Sequence, residues 1–407
     1  MRASSPPVLP DAPVSALGLY LHVPFCASIC RYCDFTRGLL DPELKGQYVR
    51  ALSREIADVG LKIQQGRYPV GSVASHHPLT DTIYFGGGTP SLLEPAEVGR
   101  IVSACRAAFA VSPDAEVTLE ANPETVSLER MDGYREAGVN RVSLGVQSFR
   151  DEELERLGRI HTAPRAAEAL RAVRAAGFDN VSLDLMLWLP GQSVAECEAS
   201  VAALADLRPE HASLYLLEPH ASAPLGEEMS RRGWTLAPED DAAEMYDRAI
   251  DRLERAGYEH YEISNLARPG RRSRHNLKYW TDGEWLGFGC GAHSTLAGVR
   301  WKNVPGTAEY VRRIEARHGA ATGIRVLSPA QRVEEWLFMG LRLIEGIDLR
   351  DVTGHHAVDV WERHGERLQD YVDAGLLVRE GERLRLTRRG LLLSNEVMAV
   401  FIDPIVR

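Results

Sequence analysis

Tyr20-Leu-His-Val-Pro-Phe-Cys26-Ala-Ser-Ile-Cys30-Arg-Tyr-Cys33-Asp-Phe35 is the stretch on which the reading of this chain turns. Its cysteines are spaced C-x3-C-x2-C and follow a short apolar run, Leu17 to Val23, that reads as a strand. Three thiolates on one loop can hold three irons of a [4Fe–4S] cluster and leave the fourth iron open to an exogenous ligand. A structural zinc site would want four closed ligands, and only His22, on the strand, stands close enough to complete one. A disulfide would leave an odd thiol and need an oxidising compartment.

Outward from this loop, the composition is that of a globular protein. Of 407 residues 44% are hydrophobic and 26% charged, enough for a sizeable core. With 47 basic against 57 acidic residues the formal charge is −10, which disfavours a nucleic-acid surface. Cys105, Cys197 and Cys290 are scattered and read as small buried apolar residues. No run reaches the ~18 apolar residues of a membrane span. Residues 1–15 lack an apolar core and read as a disordered tail, neither signal peptide nor anchor. The expected location is a reducing cytoplasm.

From Leu17 onward strands and helices alternate. Expected strands are 17–23, 82–85, 115–120, 141–146, 180–187 and 212–217, with helices from Asp41-Pro42 and near 94–110, 126–137, 150–157, 163–176 and 194–206. This is an α/β pattern, a parallel sheet with crossover helices. It suits either a doubly wound sheet or a partial (β/α)6 barrel. Cys26, Gly86–Gly88, Glu120, Gln147 and Asp184 all fall at or just past strand C-termini, the face on which barrels place their chemistry, and this favours the barrel. The expected units are a barrel over 16–218, an accessory α+β region over 219–325 and a C-terminal module over 326–407. The last has helices, a hairpin around Glu380-Gly-Glu and a closing helix from about Arg389, and resembles a small winged-helix domain used for packing. His76 and His77 read as a solvated pair in an exposed loop.

The ordered motifs are C-x3-C-x2-C, Gly86-Gly-Gly-Thr89-Pro, Glu120-Ala-Asn-Pro, Gly145-Val-Gln147-Ser and Asp184-Leu-x4-Pro-Gly-Gln192. Each alone is ordinary. The three glycines would give a bare backbone, with free N–H and C=O groups for an amino acid's charged ends. As a set they resemble the radical S-adenosylmethionine (SAM) superfamily, in the branch of oxygen-independent coproporphyrinogen dehydrogenase and the related haem chaperone. That resemblance implies SAM on the open iron and a reductive cleavage to a 5′-deoxyadenosyl radical. It implies SAM contacts from Tyr20, Tyr32, Gly87, Gly88, Thr89, Glu120, Gln147, Arg159 and Asp184, some of them in a second SAM site. Cys26, Cys30 and Cys33 would hold the cluster.

Two features favour the chaperone. The dehydrogenase has a further cysteine where Phe35 stands, and it has a longer N-terminal extension. Tyr261-Glu-Ile-Ser-Asn265, His275-Asn-Leu-Lys-Tyr279-Trp280, Gly291-Ala-His-Ser294 and Leu393-Ser-Asn-Glu-Val397 all resemble the chaperone. The H-N-x-x-Y segment makes His275 the candidate haem ligand, with Tyr279 beside it. The alternative is a buried hydrogen-bonded histidine, and His293 is a further candidate ligand or lid. The implied partners are haem as cargo, haem-acceptor proteins, an electron donor such as flavodoxin or ferredoxin, a peripheral membrane contact and a second copy of the chain. The rival expectations are anaerobic coproporphyrinogen decarboxylation or another radical reaction, and a redox-silent scaffold. The chain departs from the family at Trp188, where glycine is usual and a reshaped barrel mouth is expected, and at Cys290, a remote candidate for a fourth cluster ligand.

Overall fold

The computed structural model describes residues 16–67, 79–220 and 223–402. The expected tail over 1–15 and the His76–His77 pair lie outside them. Six strands form the centre: β1 (Leu17–Val23), β2 (Thr80–Gly87), β3 (Val111–Ala121), β4 (Arg141–Gln147), β5 (Val181–Leu187) and β6 (His211–Leu216). All neighbouring pairs are parallel, and their spatial order is their chain order. Because the order never reverses there is no switch-point crevice, and the strand C-termini line up along one rim. Helices α1 (Pro42–Gln64), α2 (Pro95–Ala108), α3 (Leu128–Glu136), α4 (Asp151–Leu157), α5 (Ala163–Ala175) and α6 (Val194–Leu207) make the crossovers. Asp41 caps α1 by accepting from the amides of Glu43 and Leu44, as the Asp-Pro start predicts.

The strands are buried on both faces, but the faces differ. Leu19, Leu21, Ile83, Phe85, Val117, Leu119, Val142, Leu144, Leu183 and Leu185 are fully buried in the shared hydrophobic core. The alternate positions carry Tyr20, Thr82, Tyr84, Thr118, Glu120, Arg141, Ser143, Ser182 and Asp184. One face thus supplies cohesion and the other a polar interior.

Residues 219–325 lengthen this same sheet at both ends. After β7 (Glu259–Glu262), β8 (Asn265–Ala267) pairs antiparallel with β6. At the other end β9 (Trp285–Phe288) lies parallel to β1, followed by antiparallel β10 (His293–Leu296), β11 (Val299–Asn303) and β12 (Ala321–Val326). The edges of the six-stranded core are therefore paired with the chain's own strands. Buried Glu55 of α1 ties this extension down. It accepts from the Gly289 amide at 2.9 Å, Asn303 Nδ2 at 2.7 Å and the Tyr310 hydroxyl at 2.7 Å.

Burial pushes Glu55 up to about 7. A carboxyl with a raised native pKa binds its proton more tightly folded than unfolded. Its contribution is therefore complete below the unfolded value and is lost as pH rises through the native one. Between the ordinary carboxyl value of 4.5 and about 7, unfolding free energy is expected to fall by about 3 kcal/mol on this account. Glu55→Gln is expected to flatten that slope in urea melts across pH 4–8; an unchanged slope would rule Glu55 out as its source.

The C-terminal module carries helices Pro329–Gly340, Leu349–His356 and Val360–Asp373 and a three-stranded sheet whose hairpin turns between Glu380 and Arg383. Arg388 anchors it to the helix Glu239–Arg255 through Asp247 at 2.7 Å and Asp251 at 3.1 Å. The expected closing helix is broken into Arg388–Leu392, Ser394–Met398 and a 3₁₀ turn over Ala399–Phe401. Thr387 caps the first piece by accepting from the Gly390 amide, and Leu393 leaves helical geometry between the first two. Among the described residues no helix is long and apolar enough to cross a membrane.

Candidate functional site

A cavity of about 670 Å³ opens at the C-terminal rim. Cys26, Cys30 and Cys33 line it together with Tyr32, Gly87, Gly88, Thr89, Glu120, Gln147, Arg159 and Asp184. Sequence spacing spread these residues over 159 positions, and the parallel register gathers them. All three thiols are unbridged. Among the described residues no three His, Cys, Asp or Glu side chains are arranged around a single metal ion.

The cysteine segment is held from three sides. Phe25–Cys26 pairs with Gly38–Leu39. The Arg31 amide donates to Leu157 O at the end of α4 at 3.0 Å, and Arg31 O accepts from the Leu225 amide at 2.8 Å. From β2, the amides of Gly88 and Thr89 donate to Val23 O and Phe25 O, both at 2.8 Å, and the Gly87 amide donates to Glu120 Oε2 at 3.2 Å. The expected free N–H groups of the Gly-Gly-Gly-Thr turn are therefore already taken, because β2 continues past β1 and grips the loop that follows it. Gly87 has φ +116, and a Cβ there would stand 2.6 Å from the His22 ring. The glycines bring two pieces of protein together, and the bare backbone serves that approach.

Arg159 donates to Cys30 Sγ at 3.5 Å, to Asn122 Oδ1 at 2.7 Å and to Gly145 O at 2.8 Å. Burial disfavours its charge, but Tyr32, Cys30 and Glu124 outweigh that and raise its pKa. Burial also raises the Cys26 and Cys33 thiols, with Arg37 acting in the opposite sense on both. On the floor, Glu120 accepts from the Tyr84 hydroxyl at 2.8 Å; burial, with Asp184 adding to it, pushes its carboxyl up to about 7. Asp184 accepts from Ser143 and Ser182 and is raised chiefly by burial. Gln147 sits at φ +68 beside a register shift in β4, an unusual backbone state of the kind that gathers at functional sites.

Five expected participants lie elsewhere. Tyr20 is in the barrel interior, 6.2 Å from the Tyr84 ring, and does not line the cavity. His275 is 1% exposed near the opposite end of the strands. Its Nδ1 is 2.8 Å from Thr82 Oγ1 and its Nε2 3.0 Å from the Tyr279 hydroxyl. Burial lowers its pKa to about 3. Both ring nitrogens are thus committed to hydroxyls, the buried hydrogen-bonded state weighed above, and Tyr279 is one of its partners. Cys290 is fully buried against Thr307 and Tyr48, and His293 lies on β10; neither lines the cavity. Nor does Trp188. It adopts φ +60, which favours the glycine usual there, and its indole packs against the core and donates to Ala237 O at 2.8 Å.

Sequence reasoning passed over Asn122, Arg141, His220 and Arg342. Asn122 was legible within Glu-Ala-Asn-Pro and bridges Arg159 to Thr89. Arg141, 2% exposed, was signalled by an arginine opening an otherwise apolar strand. His220 and Arg342 carry no motif; loop and helix ends bring them to the cavity.

The radical SAM superfamily model matches residues 20–204 and the HemN C-terminal domain model matches residues 327–393. The chain is 33% identical to the heme chaperone HemW of Bacillus subtilis, over 95% of this chain and 99% of that protein. It is 36% identical to the heme chaperone HemW of Mycobacterium tuberculosis, over 97% of each. Among solved structures it resembles Escherichia coli coproporphyrinogen III oxidase (HemN), with a TM-score of 0.81 and 21% identity over 95% of this chain and 90% of that one. That last likeness speaks to the fold alone.

Proposed function

The chain belongs to the radical SAM superfamily, in the group of the heme chaperones HemW, and from that premise we propose that it binds haem and passes it to haem-requiring acceptor proteins. The observation that carries this reading is similarity to those chaperones over nearly the whole of both chains. Phe35, standing where the dehydrogenase branch has a further cysteine, supports it.

The donor set fits a cluster and a sulfonium nucleoside. Cys26, Cys30 and Cys33 are soft ligands on one loop, and Arg159 and Arg37 offset the negative charge that thiolates would bring. They would hold a [4Fe–4S] cluster with one iron open. Glu120, Gln147, Arg159 and Asp184, with Tyr32 and the carbonyl oxygens of the Gly87–Thr89 turn, whose amides are taken, would hold SAM. When bound, the pair supplies one-electron chemistry at the sulfonium. Glu120 shares its carboxylate between the Tyr84 hydroxyl and the Gly87 amide, leaving acceptor capacity toward the cavity. Arg159 keeps its charge across physiological pH and braces Cys30 against Gly145.

Anaerobic titration of the full chain with ferric haem is expected to saturate. The loaded protein is then expected to transfer haem to an apo-haem protein, seen as the acceptor's own spectrum. Incubation with reductant, SAM and coproporphyrinogen is expected to leave the coproporphyrinogen unchanged. Absence of haem binding, or conversion to protoporphyrinogen, would overturn the proposal.

A further inference from the structure

The geometry points to His220 as the ligand that takes haem iron, at the apolar mouth of the same cavity. This rests on the haem-binding reading above and places the cargo at a particular residue.

Only a ring with a free nitrogen can take iron. His275 has neither nitrogen to spare and no exposure. His22 bonds Tyr20 and Thr36 O, His161 approaches Val146 O and Glu124, and His211 bonds Ser182 and Tyr261. His220 is the one histidine lining the cavity among the described residues. It follows β6, its side chain is about half exposed, and Asp34 faces its Nε2 across 3.7 Å. That gap is longer than a hydrogen bond and leaves the ring able to take a metal through Nδ1, with Asp34 behind Nε2. A carboxylate that closes on the far nitrogen of a ligating imidazole and accepts its N–H raises its basicity and fixes its orientation, and Asp34 stands within reach of that role.

The wall around His220 has the character a tetrapyrrole needs. Met186, Leu214, Tyr215, Leu216, Leu217 and Leu392 line the same cavity and give it an apolar share beside the carboxylates of Glu120 and Asp184. Phe35 and Tyr215 at the same mouth are 63% and 43% exposed, large apolar faces left open to water. Haem is a flat, mostly apolar disc with two carboxylates on one edge. Arg342 lines the cavity too, paired with Glu262 at 3.1 Å and lying 4.4 Å from the Trp280 ring centroid. It offers a guanidinium for a propionate. A single histidine at an open mouth holds iron and releases it without unfolding the barrel, which suits a carrier. The site adjoins the cysteine loop, since Asp34 directly follows Cys33.

The test is anaerobic titration with ferric haem of the full chain, wild type and variants, followed by difference absorbance and electron paramagnetic resonance. His220→Ala is expected to bind haem about tenfold or more weakly, since loss of outer partners alone costs that much at metal sites, and added imidazole is expected to restore the nitrogen-ligated spectrum. His220→Tyr is expected to bind with a phenolate-ligated signature, which moves the spectrum whatever the affinity. His275→Ala, checked for folding by thermal melt, is expected to keep the wild-type spectrum. Wild-type affinity and spectrum in both His220 variants would overturn this assignment and leave the haem reading standing. A change of ligand signature in His275→Ala alone would move the ligand to His275. No binding by the wild type would overturn both.

Discussion

Single replacement of Cys26, Cys30 or Cys33 by alanine is expected to bring the iron and sulfide of anaerobically reconstituted protein down to background. Each thiolate would hold one iron, and with one iron already lacking a protein ligand, losing a second leaves half the cube unprotected. The fold is expected to survive. Cys30 and Cys33 are only half-buried in a loop, so their removal should cost at most about 1 kcal/mol. Cys26, 7% exposed, packs beneath Gly88 and should cost more, on the order of 1–2 kcal/mol. Urea melts of the metal-free variants separate loss of ligand from loss of fold. A variant that keeps the full brown chromophore and near four irons per chain would remove that cysteine from the ligand set.

Gly88→Ala is expected to weaken cluster retention nearly as much, with every cysteine still present. A Cβ at Gly88 would stand 2.7 Å from Phe25 O and 3.0 Å from both Val23 O and Cys26 Sγ. Two of those neighbours are backbone atoms of the segment that carries the first cysteine, and they cannot rotate away. The strain, about 1–3 kcal/mol by analogy with overpacked cores, would be relieved by pushing Phe25–Cys26 off the Gly88 and Thr89 amides. Gly38→Ala is the control: it lies on the strand that pairs with Phe25–Cys26, but nothing stands within 4 Å of its added Cβ. Iron content and chromophore decay under mild chelation should fall sharply for the first variant and stay at wild type for the second. Equal retention in both would mean that the glycine turn does not position the cysteine loop.

Both expectations rest on how local pattern and distant contact divide the work. The cysteine spacing, the strand over Leu17–Val23 and the placing of Glu120 and Gln147 at strand ends were legible because each is a local property, whereas Asp184, expected at a strand end, stands in the middle of β5, three residues before Leu187. Ligand spacing lies within one loop, and alternation along a strand reports which side chains share a face. The glycine turn was legible as a close approach, but its partner was not. The approach is made by Val23 and Phe25, more than sixty positions back along the chain.

The fate of His275 shows the limit most plainly. Its motif marked it as special, and its neighbours in the chain are Asn276 and Tyr279. Its environment, however, is set by Thr82 and Glu116, 193 and 159 positions away. Those contacts exist because β9 pairs beside β1 and carries the helix Arg274–Trp280 under the barrel. His220 shows the reverse: a residue in no motif that reaches the cavity mouth because β6 ends there. Sequence by itself determined the spacing of the candidate ligands, the strand faces and the order of the six parallel strands, since all three depend on nearest neighbours in the chain and on one rule of right-handed crossover. Tertiary structure alone decided which polar groups satisfy one another and which stay open. That depends on burial, and burial is a property of the packed sheet, in which residues far apart in the chain must share the same unhydrated space.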